Sequence, residues 1–244
     1  MRTERINILG VEFDSLTMAE AAERGMSLMR ARSGAYAVTP NPEIVIMCGE
    51  DAGLASAVSR ADMVLADGVG VIYAAKILKK PIAEKVPGID FAAELFSRMA
   101  AEGMSVFLYG AKPGVAECAG DKLKSAYPGL VIAGCHDGYD KDSEKISAEI
   151  NEASPDFLMV CLGSPKQELW MCENAGKISA GLMAGLGGSL DVLAGEVKRA
   201  PPGWRKLGLE WLYRLIQEPK RLKRMLKLPR FLFAAVWLRV KGEN

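Results

Sequence analysis

Short apolar runs alternate with longer stretches of mixed polarity through most of this chain. The apolar runs are four to six residues long, and they predict strands at 6–9, 35–38, 63–66, 105–109, 130–134, 157–162 and 180–185. The mixed stretches repeat apolar residues at helical spacing, and they predict helices at 17–31, 42–60, 70–78, 89–102, 113–126, 142–153, 165–176 and 188–194. Strands that are buried on both faces and separated by helices are typical of parallel sheets. The sequence therefore predicts an α/β fold with a Rossmann-like, mostly parallel sheet flanked by helices.

Turn-forming and polar residues follow six of these predicted strands. The segments read TPNPE, DGVG, GAKPG, CHDGY, GSPKQE and LGGSLD. In a parallel sheet the carboxyl ends of the strands meet at one edge, where ligands bind. Glycine-rich turns that lead into helices expose backbone N–H groups there and favour anions such as phosphate. The chain contains neither a Walker sequence nor G-x-G-x-x-G, so the turns alone leave the ligand open.

The charges are distributed unevenly, although the net charge is only +1. Residues 196–241 carry 13 Lys or Arg and three Glu, whereas residues 1–195 carry 18 basic and 26 acidic residues. Apolar residues recur at helical spacing in the basic segment, among them Trp211 and Leu215. We predict a body at 1–195 and a basic, amphipathic helical appendage at 196–244. The expected partner of the appendage is an anion: nucleic acid, a lipid surface or a phosphate-bearing substrate.

Three features bear on location and metal chemistry. The N-terminal MRTERINILG lacks the apolar core of a secretory signal, and the apolar run at 231–238 is shorter than the ~20 residues of a membrane span. The five cysteines contain no C-x-x-C pair, which favours a reducing cytoplasm. His136 is the only histidine, which argues against histidine-rich zinc sites, and we expect it in a loop.

Several segments, in this order along the chain, resemble one known family. They read TPNPEIV, ADGVGV, PGIDF, LYGAKPGVAE, GSPKQE and GGSLDVLAGEVKRAP…GLEWLYRLIQEPKR. The chain resembles the WecG/TagA/CpsF glycosyltransferases over residues 4–240, and within that family it is most similar to the teichoic-acid N-acetylmannosaminyltransferases. The resemblance implies an inverting transfer without a metal or any other cofactor. N-acetylmannosamine would pass from UDP-N-acetylmannosamine to the 4-hydroxyl of GlcNAc-diphospho-undecaprenol, in the linkage unit of wall teichoic acid.

The resemblance also assigns roles at the predicted sheet edge and makes 1–195 the catalytic domain. Asp67 would be the general base, although an aspartate before a helix is also a common N-cap. Thr39 and Asn41 would position the substrate, with turn and cap chemistry as the alternative. Gln167 would bond the sugar or the diphosphate, unless it is a solvated helix residue.

Further residues would bind the nucleotide and balance the charge of the diphosphate. Tyr139 and Asp191 would form the nucleoside pocket, the tyrosine by stacking on uracil. Lys85 stands where the family usually has arginine, and it keeps the charge without the bidentate geometry. Three arginines of the appendage, which completes the active site, would reach the diphosphate: Arg214, Arg221 and Arg224.

A D-x-D pair, Asp140 and Asp142, resembles the metal motif of other glycosyltransferases. The pair opens a hydrophilic helix, so we predict that both carboxylates are solvated and that no metal is bound. The charge of the leaving group would then be met by basic side chains and by helix N-termini.

Several alternatives remain open. Relatives also use UDP-N-acetylmannosaminuronic acid or UDP-glucuronic acid, and one sequence does not separate these donors. A Rossmann-type nucleotide-cofactor enzyme and a non-enzymatic membrane adaptor are the alternatives of another class. The expected partners are a UDP-sugar donor, a polyprenyl-diphosphate-linked sugar acceptor and an anionic membrane surface, without nucleic acid, and a homo-oligomer is left open. The expected location is the cytoplasm, peripheral on the inner face of the bacterial cell membrane.

Overall fold

A computed structural model describes residues 4–140, 142–217, 219 and 227–241. The strands in these residues are Arg5–Ile8 (β1), Val11–Asp14 (β2), Ala35–Val38 (β3), Met63–Val64 (β4), Ser105–Gly110 (β5), Val131–His136 (β6), Phe157–Cys161 (β7) and Leu182–Gly185 (β8). Six of them form one sheet in the order β4-β3-β8-β7-β5-β6, and every neighbouring pair is parallel. The predicted α/β fold with a parallel sheet is confirmed.

The first two strands do not join this sheet. β1 and β2 pair with each other in antiparallel orientation, with Ile8 opposite Val11. The two residues between them, Leu9 and Gly10, have φ of 53° and 89°, which is the backbone of a tight hairpin turn. The strand predicted at 6–9 exists, but its placement among the strands of the main sheet was wrong, because this turn folds the chain back on itself.

Helices cover both faces of the sheet. They are Met18–Ala31 (α1), Pro42–Glu50 (α2), Ala52–Ser59 (α3), Val69–Ile77 (α4), Gly88–Glu102 (α5), Val115–Ala126 (α6), Ser143–Ala153 (α7), Lys166–Asn174 (α8), Ser189–Leu193 (α9), Pro202–Lys206 (α10), Glu210–Gln217 (α11) and Lys227–Lys241 (α12). Alternate strand residues point to opposite faces, so Val106 and Leu108 join one core while Phe107 and Tyr109 join the other. The first core contains α1, α5 and α6, and the second contains α2 to α4, α7, α8 and α12.

Two details differ from the sequence-based expectation. The predicted helix 42–60 is two helices, because Asp51 ends α2 and caps α3, accepting hydrogen bonds from the N–H groups of Gly53 at 2.8 Å and Leu54 at 3.1 Å. His136 is the last residue of β6 rather than a loop residue, so that prediction was wrong. Its Nδ1 lies 2.7 Å from a carboxylate oxygen of Glu149 in α7, and this contact holds the strand end against the helix.

The basic C-terminal segment forms helices, as predicted, and its last helix packs on the body. α12 contacts α2 and α4, and its Phe231 and Ala235 are completely buried in the second core. The opposite face of α12 leaves Phe233 and Trp237 more than half exposed. Within the described residues, no helix combines the length and the apolar character that crossing a membrane requires.

Candidate active site

A cavity opens where β3, β4 and β8 end, and it is bordered by α11 and α12. Residues that follow these three strands line it, and so do Glu210 and Trp211 of α11 and Leu228 of α12. Its polar and aromatic lining residues are Asn41, Glu43, Asp67, Lys85, Ser189, Glu210 and Trp211. Gly68, Gly70 and Gly188 also line it, so backbone is accessible to a ligand at several points.

Asp67 is one of the residues that line this cavity. Its backbone N–H donates to the carbonyl of Pro40 at 3.2 Å, which ties the end of β4 to the end of β3. Its Oδ2 accepts from the N–H of Gly88, the first residue of α5, at 3.4 Å. The N-cap position of α4 belongs to Gly68, whose φ of 90° suits glycine. The carboxylate therefore contacts the start of α5, and the cap residue of α4 is Gly68.

Lys85 reaches the same cavity from the segment that leads into α5. The neighbouring Val86 donates its N–H to the carbonyl of Ala66 at 2.8 Å, so this segment runs beside the chain that carries Asp67. Lys85 is partly buried and lines the cavity. A basic side chain thus lines the same cavity as the aspartate.

A group of charged residues beside the cavity was missed in the sequence. Arg199 donates to Asp90 Oδ2 in the first turn of α5 at 2.6 Å, and its Nε lies 3.9 Å from Glu210 Oε1 at the start of α11. Burial opposes the charged guanidinium, but the hydrogen bond with Asp90 and the nearby acids outweigh it and raise the pKa of Arg199. Arg199 therefore connects α5 of the body to α11 of the appendage, and its only sequence signal was its position in GEVKRAP.

Thr39 lies in the interior rather than on the cavity wall. Its hydroxyl donates to the carbonyl of Gly185 in the neighbouring strand at 3.1 Å, and only 7% of the residue is exposed. Asn41 does line the cavity, yet its amide oxygen caps α2 by accepting from the N–H of Ile44 at 3.1 Å. The capping alternative thus holds for Asn41, while Thr39 joins two strand ends.

Gln167 is also in the interior, which rules out the alternative of a solvated helix residue. The residue is 3% exposed. Its amide oxygen accepts from the N–H of Gly187 at 2.9 Å, in the turn that follows β8. The residue is therefore bonded to a turn whose neighbours line the cavity.

Tyr139 and Asp191 lie elsewhere along the same edge of the sheet. Tyr139 follows β6, the outermost strand, and is 65% exposed, whereas Asp191 is partly buried in α9 after β8. Strands β7 and β5 lie between β8 and β6, so about 14 Å of sheet edge separates the two segments. The structure thus brings together Asn41, Asp67 and Lys85. Asp191 lies close to this cavity, beside Gly188, whereas Tyr139 lies toward the other end of the edge.

The D-x-D pair is engaged locally. Asp142 caps α7 by accepting from the N–H of Lys145 at 3.0 Å. Asp140 accepts from the N–H of Asp142 at 3.0 Å and from the ammonium of Lys145 at 3.1 Å, and these contacts lower its pKa to about 2. Among the described residues, no group of three or more His, Cys, Asp or Glu is arranged to hold a metal ion.

Of the three appendage arginines predicted to reach the diphosphate, only Arg214 lies within the described residues. Arg214 belongs to α11, but its side chain is not described. Arg221 and Arg224 lie outside the described residues.

Known proteins match this chain over nearly its whole length. A family model described as "Glycosyl transferase WecG/TagA/CpsF family" matches residues 6–244. The chain is 36% identical, over 233 residues, to the N-acetylglucosaminyldiphosphoundecaprenol N-acetyl-beta-D-mannosaminyltransferase of Staphylococcus aureus (strain MW2), covering 95% of this chain and 92% of that protein. The protein of the same name from S. aureus (strain NCTC 8325 / PS 47) gives the same identity and coverage.

Proposed function

Because the chain belongs to the WecG/TagA/CpsF family of glycosyl transferases, we propose that it transfers N-acetylmannosamine from UDP-N-acetylmannosamine to the 4-hydroxyl of GlcNAc-diphospho-undecaprenol. The chain is a glycosyltransferase, and neither a cofactor-dependent Rossmann enzyme nor a non-enzymatic adaptor agrees with this family. The sugar and the acceptor are proposed from the name of the S. aureus relatives, which cover nearly the whole chain.

The placement of Asp67 carries the proposal. In an inverting transfer, the acceptor hydroxyl gives its proton to a base while its oxygen attacks the anomeric carbon from the side opposite to UDP. The bond between that carbon and the diphosphate then breaks, and UDP leaves with the bonding electrons. The carboxylate of Asp67 and the ammonium of Lys85 line the same cavity, which supports roles as base and as counter-charge.

The order of residues along the sheet edge supports a binding direction for the donor. Asp67 follows β4, the glycine turn at 187–188 follows β8 two strands away, and Tyr139 follows β6 three strands further. A uridine held near Tyr139 would direct its diphosphate toward the glycine turn, beside which Asp191 lies. About 10 Å then remains between that turn and the end of β4, which leaves room for a sugar beside Asp67.

Charge compensation by the protein supports a transfer without metal. Lys85 lines the cavity, and the N-terminus of α5 opens into it at Gly88. Helix N-termini and basic side chains both stabilise a departing diphosphate. We expect EDTA to leave turnover within about twofold of the untreated rate. Loss of turnover that returns with Mg²⁺ or Mn²⁺ would reject this part of the proposal.

The exposed face of α12 supports a membrane partner. Phe233, Val236, Trp237 and Val240 recur at helical spacing, and each is between 45% and 79% exposed. Basic residues flank this apolar face, including Arg230, Arg239 and Lys241. Such a face suits the interface of an anionic lipid bilayer, where the polyprenyl acceptor resides. We propose peripheral binding at the inner face of the bacterial membrane.

One assay tests the donor and the acceptor together. The purified full-length chain is given UDP-N-acetylmannosamine, UDP-N-acetylmannosaminuronic acid or UDP-glucuronic acid with a GlcNAc-diphospho-lipid acceptor, and products are read by mass spectrometry. We expect a mass increase of one N-acetylhexosamine with the first donor alone. Turnover of another donor in its place would reassign the sugar, and no turnover of any would refute the proposed reaction.

A further inference from the structure

The turn between β8 and α9 is held from both sides by buried side chains. Thr39, from the neighbouring strand end, donates to the carbonyl of Gly185 at 3.1 Å. Gln167, from α8, accepts from the N–H of Gly187 at 2.9 Å. Leu186 and Gly188, on either side of Gly187, line the cavity that contains Asp67. Two side chains thus fix the backbone of a turn that forms part of the candidate active site.

The second of these contacts requires one particular orientation of the Gln167 amide. A glutamine side chain can accept from a backbone N–H only through its oxygen, and a rotated amide would present its NH₂ group to that N–H. Glu168 Oε1 accepts from Gln167 Nε2 at 2.9 Å. Because a carboxylate oxygen is an acceptor, this contact favours the orientation in which the amide oxygen faces Gly187.

Burying the carboxyl group of Glu168 at this position is unfavourable for folding. Only 1% of the residue is exposed, and burial raises its pKa, with the hydrogen bond from Gln167 acting in the opposite direction. A buried carboxyl group is tolerated where it makes hydrogen bonds that an apolar residue would not make. The bond to Gln167 is such an interaction.

Gln167 packs closely against the end of β8. A Cβ atom on Gly185 would lie 3.0 Å from Gln167 Nε2 and 2.7 Å from Met171 Cε, so α8 lies directly against the end of β8. A rotated amide at Gln167 would lose the Gly187 hydrogen bond, and there is little free space beside Gly185 into which the side chain could move.

We propose that Glu168 is a positioning residue for glycosyl transfer, which holds the Gln167 amide in the orientation that fixes Gly187 and the turn lining the cavity. The proposal rests on the proposed function for its activity readout. It requires an acceptor atom at the reach of a glutamate side chain, and it does not require a negative charge.

Two substitutions distinguish the effect of side-chain length at position 168 from the effect of its negative charge. Glu168→Gln keeps an acceptor oxygen at the same distance from the backbone and removes the charge, so we expect kcat within about twofold of wild type. Glu168→Asp keeps the charge and withdraws the acceptor by one methylene, so we expect kcat to fall about ten- to a hundredfold, with the Kd for UDP nearly unchanged. Ile146→Ala, in the buried part of α7, is a control for general loss of stability.

Hydrogen exchange at Gly187 gives a readout that does not depend on turnover. We expect the peptide containing Gly187 to exchange faster in Glu168→Asp than in wild type, Glu168→Gln or Ile146→Ala. An active Glu168→Asp variant with an inactive Glu168→Gln variant would overturn the proposal, as would unchanged exchange in Glu168→Asp. If wild type transfers none of the tested sugars, the proposed function fails, while the exchange measurement still decides the role of Glu168.

Discussion

The role of Asp67, as a helix cap or as a general base, depends on which groups surround its carboxylate. Asp67 lies two residues before the start of α4, where an aspartate could serve as a cap, but Gly68 takes the cap position and the carboxylate contacts Gly88. The base and the cap make different demands on the side chain. A cap works through hydrogen bonding alone, whereas a base must also accept a proton.

Asp67→Asn tests this distinction. Asparagine keeps the shape and the hydrogen bond with Gly88 but cannot accept the proton of the acceptor hydroxyl. We expect turnover to fall by about 10²–10⁴-fold, with UDP binding and thermal stability close to wild type. The measurements are initial rates and calorimetric titration with UDP. Full activity in this variant would leave Asp67 with a structural role only.

Some residues of the site can be predicted from the sequence, whereas the contacts of others depend on the order of strands in the sheet. Asp67 and Asn41 are assigned to one site because each follows the end of a predicted strand, whereas Lys85 is assigned by the family resemblance alone. The contacts of Thr39 and Gln167 with β8 depend on which strands are neighbours in space. The order β3-β8 joins segments that are far apart in the chain, and local patterns do not encode that order.

At the scale of elements, α2, α4 and α12 meet at Gly70. A Cβ atom at this position would lie 2.6 Å from Pro42 Cγ and 2.7 Å from Leu228 Cδ1. Leu228 can rotate away, but the ring of Pro42 is rigid, so the helices must separate to admit a methyl group. All three residues line the cavity, and this contact therefore links helix packing to the site.

Gly70→Ala should lower the free energy of unfolding by about 1–3 kcal/mol and reduce turnover, because overpacking displaces α4 from α2 and α12. Gly49→Ala is the matched control, since Gly49 is also helical and its Cβ would meet no atom within 4 Å. There the better helix propensity of alanine should stabilise the protein by up to about 1 kcal/mol. Urea unfolding of both variants measures the difference, and equal stabilities would show that the helices accommodate the methyl group.

The exposed face of α12 is the second element-scale feature. The rings of Phe233 and Trp237 are stacked with centroids 6.5 Å apart, and the ammonium of Lys241 lies 5.2 Å from the Trp237 ring. The buried face of the same helix holds Phe231 in the core. The helix thus keeps its position on the body while presenting aromatic side chains and a cation outward.

Replacing both Phe233 and Trp237 with serine should weaken binding to vesicles of anionic lipid by about a hundredfold or more. Each exposed aromatic ring that enters the interface contributes about 1.5–3 kcal/mol, and serine contributes little. Val131→Ser is the control, because Val131 is 49% exposed on β6, far along the sheet from α12. Sedimentation with vesicles measures the binding. If the double variant binds like the control, α12 is not the membrane contact.

At the scale of the whole molecule, the body and the appendage share one hydrophobic core and one cavity. The charge asymmetry predicted a boundary near residue 195, and the helices after it are present. Yet α12 fills part of the second core, and Trp211 and Leu228 line the cavity. Composition reports charge along the chain, but it does not report which apolar residues of a basic segment are buried. Deleting 196–244 would therefore uncover the core, and lost activity in that variant would not separate unfolding from chemistry.

Single substitutions avoid this difficulty and test whether the appendage both binds the membrane and takes part in transfer. Arg214→Ala, Arg221→Ala and Lys227→Ala each remove one positive charge, worth about 1 kcal/mol near an anionic surface, so all three should weaken vesicle binding to the same small extent. The arginines are proposed to pair with the diphosphate through two N–H groups each, whereas Lys227, at the start of α12, is proposed to be a solvated charge.

With a short, water-soluble acceptor, the membrane no longer contributes to the rate. Under that condition we expect turnover to fall tenfold or more in the two arginine variants and to stay within about twofold of wild type in Lys227→Ala. The ratio of turnover to vesicle binding across the three variants is the deciding quantity. If it is the same for all of them, the appendage acts only as an anchor, and the charge of the departing diphosphate must be balanced by Lys85 and the N-terminus of α5.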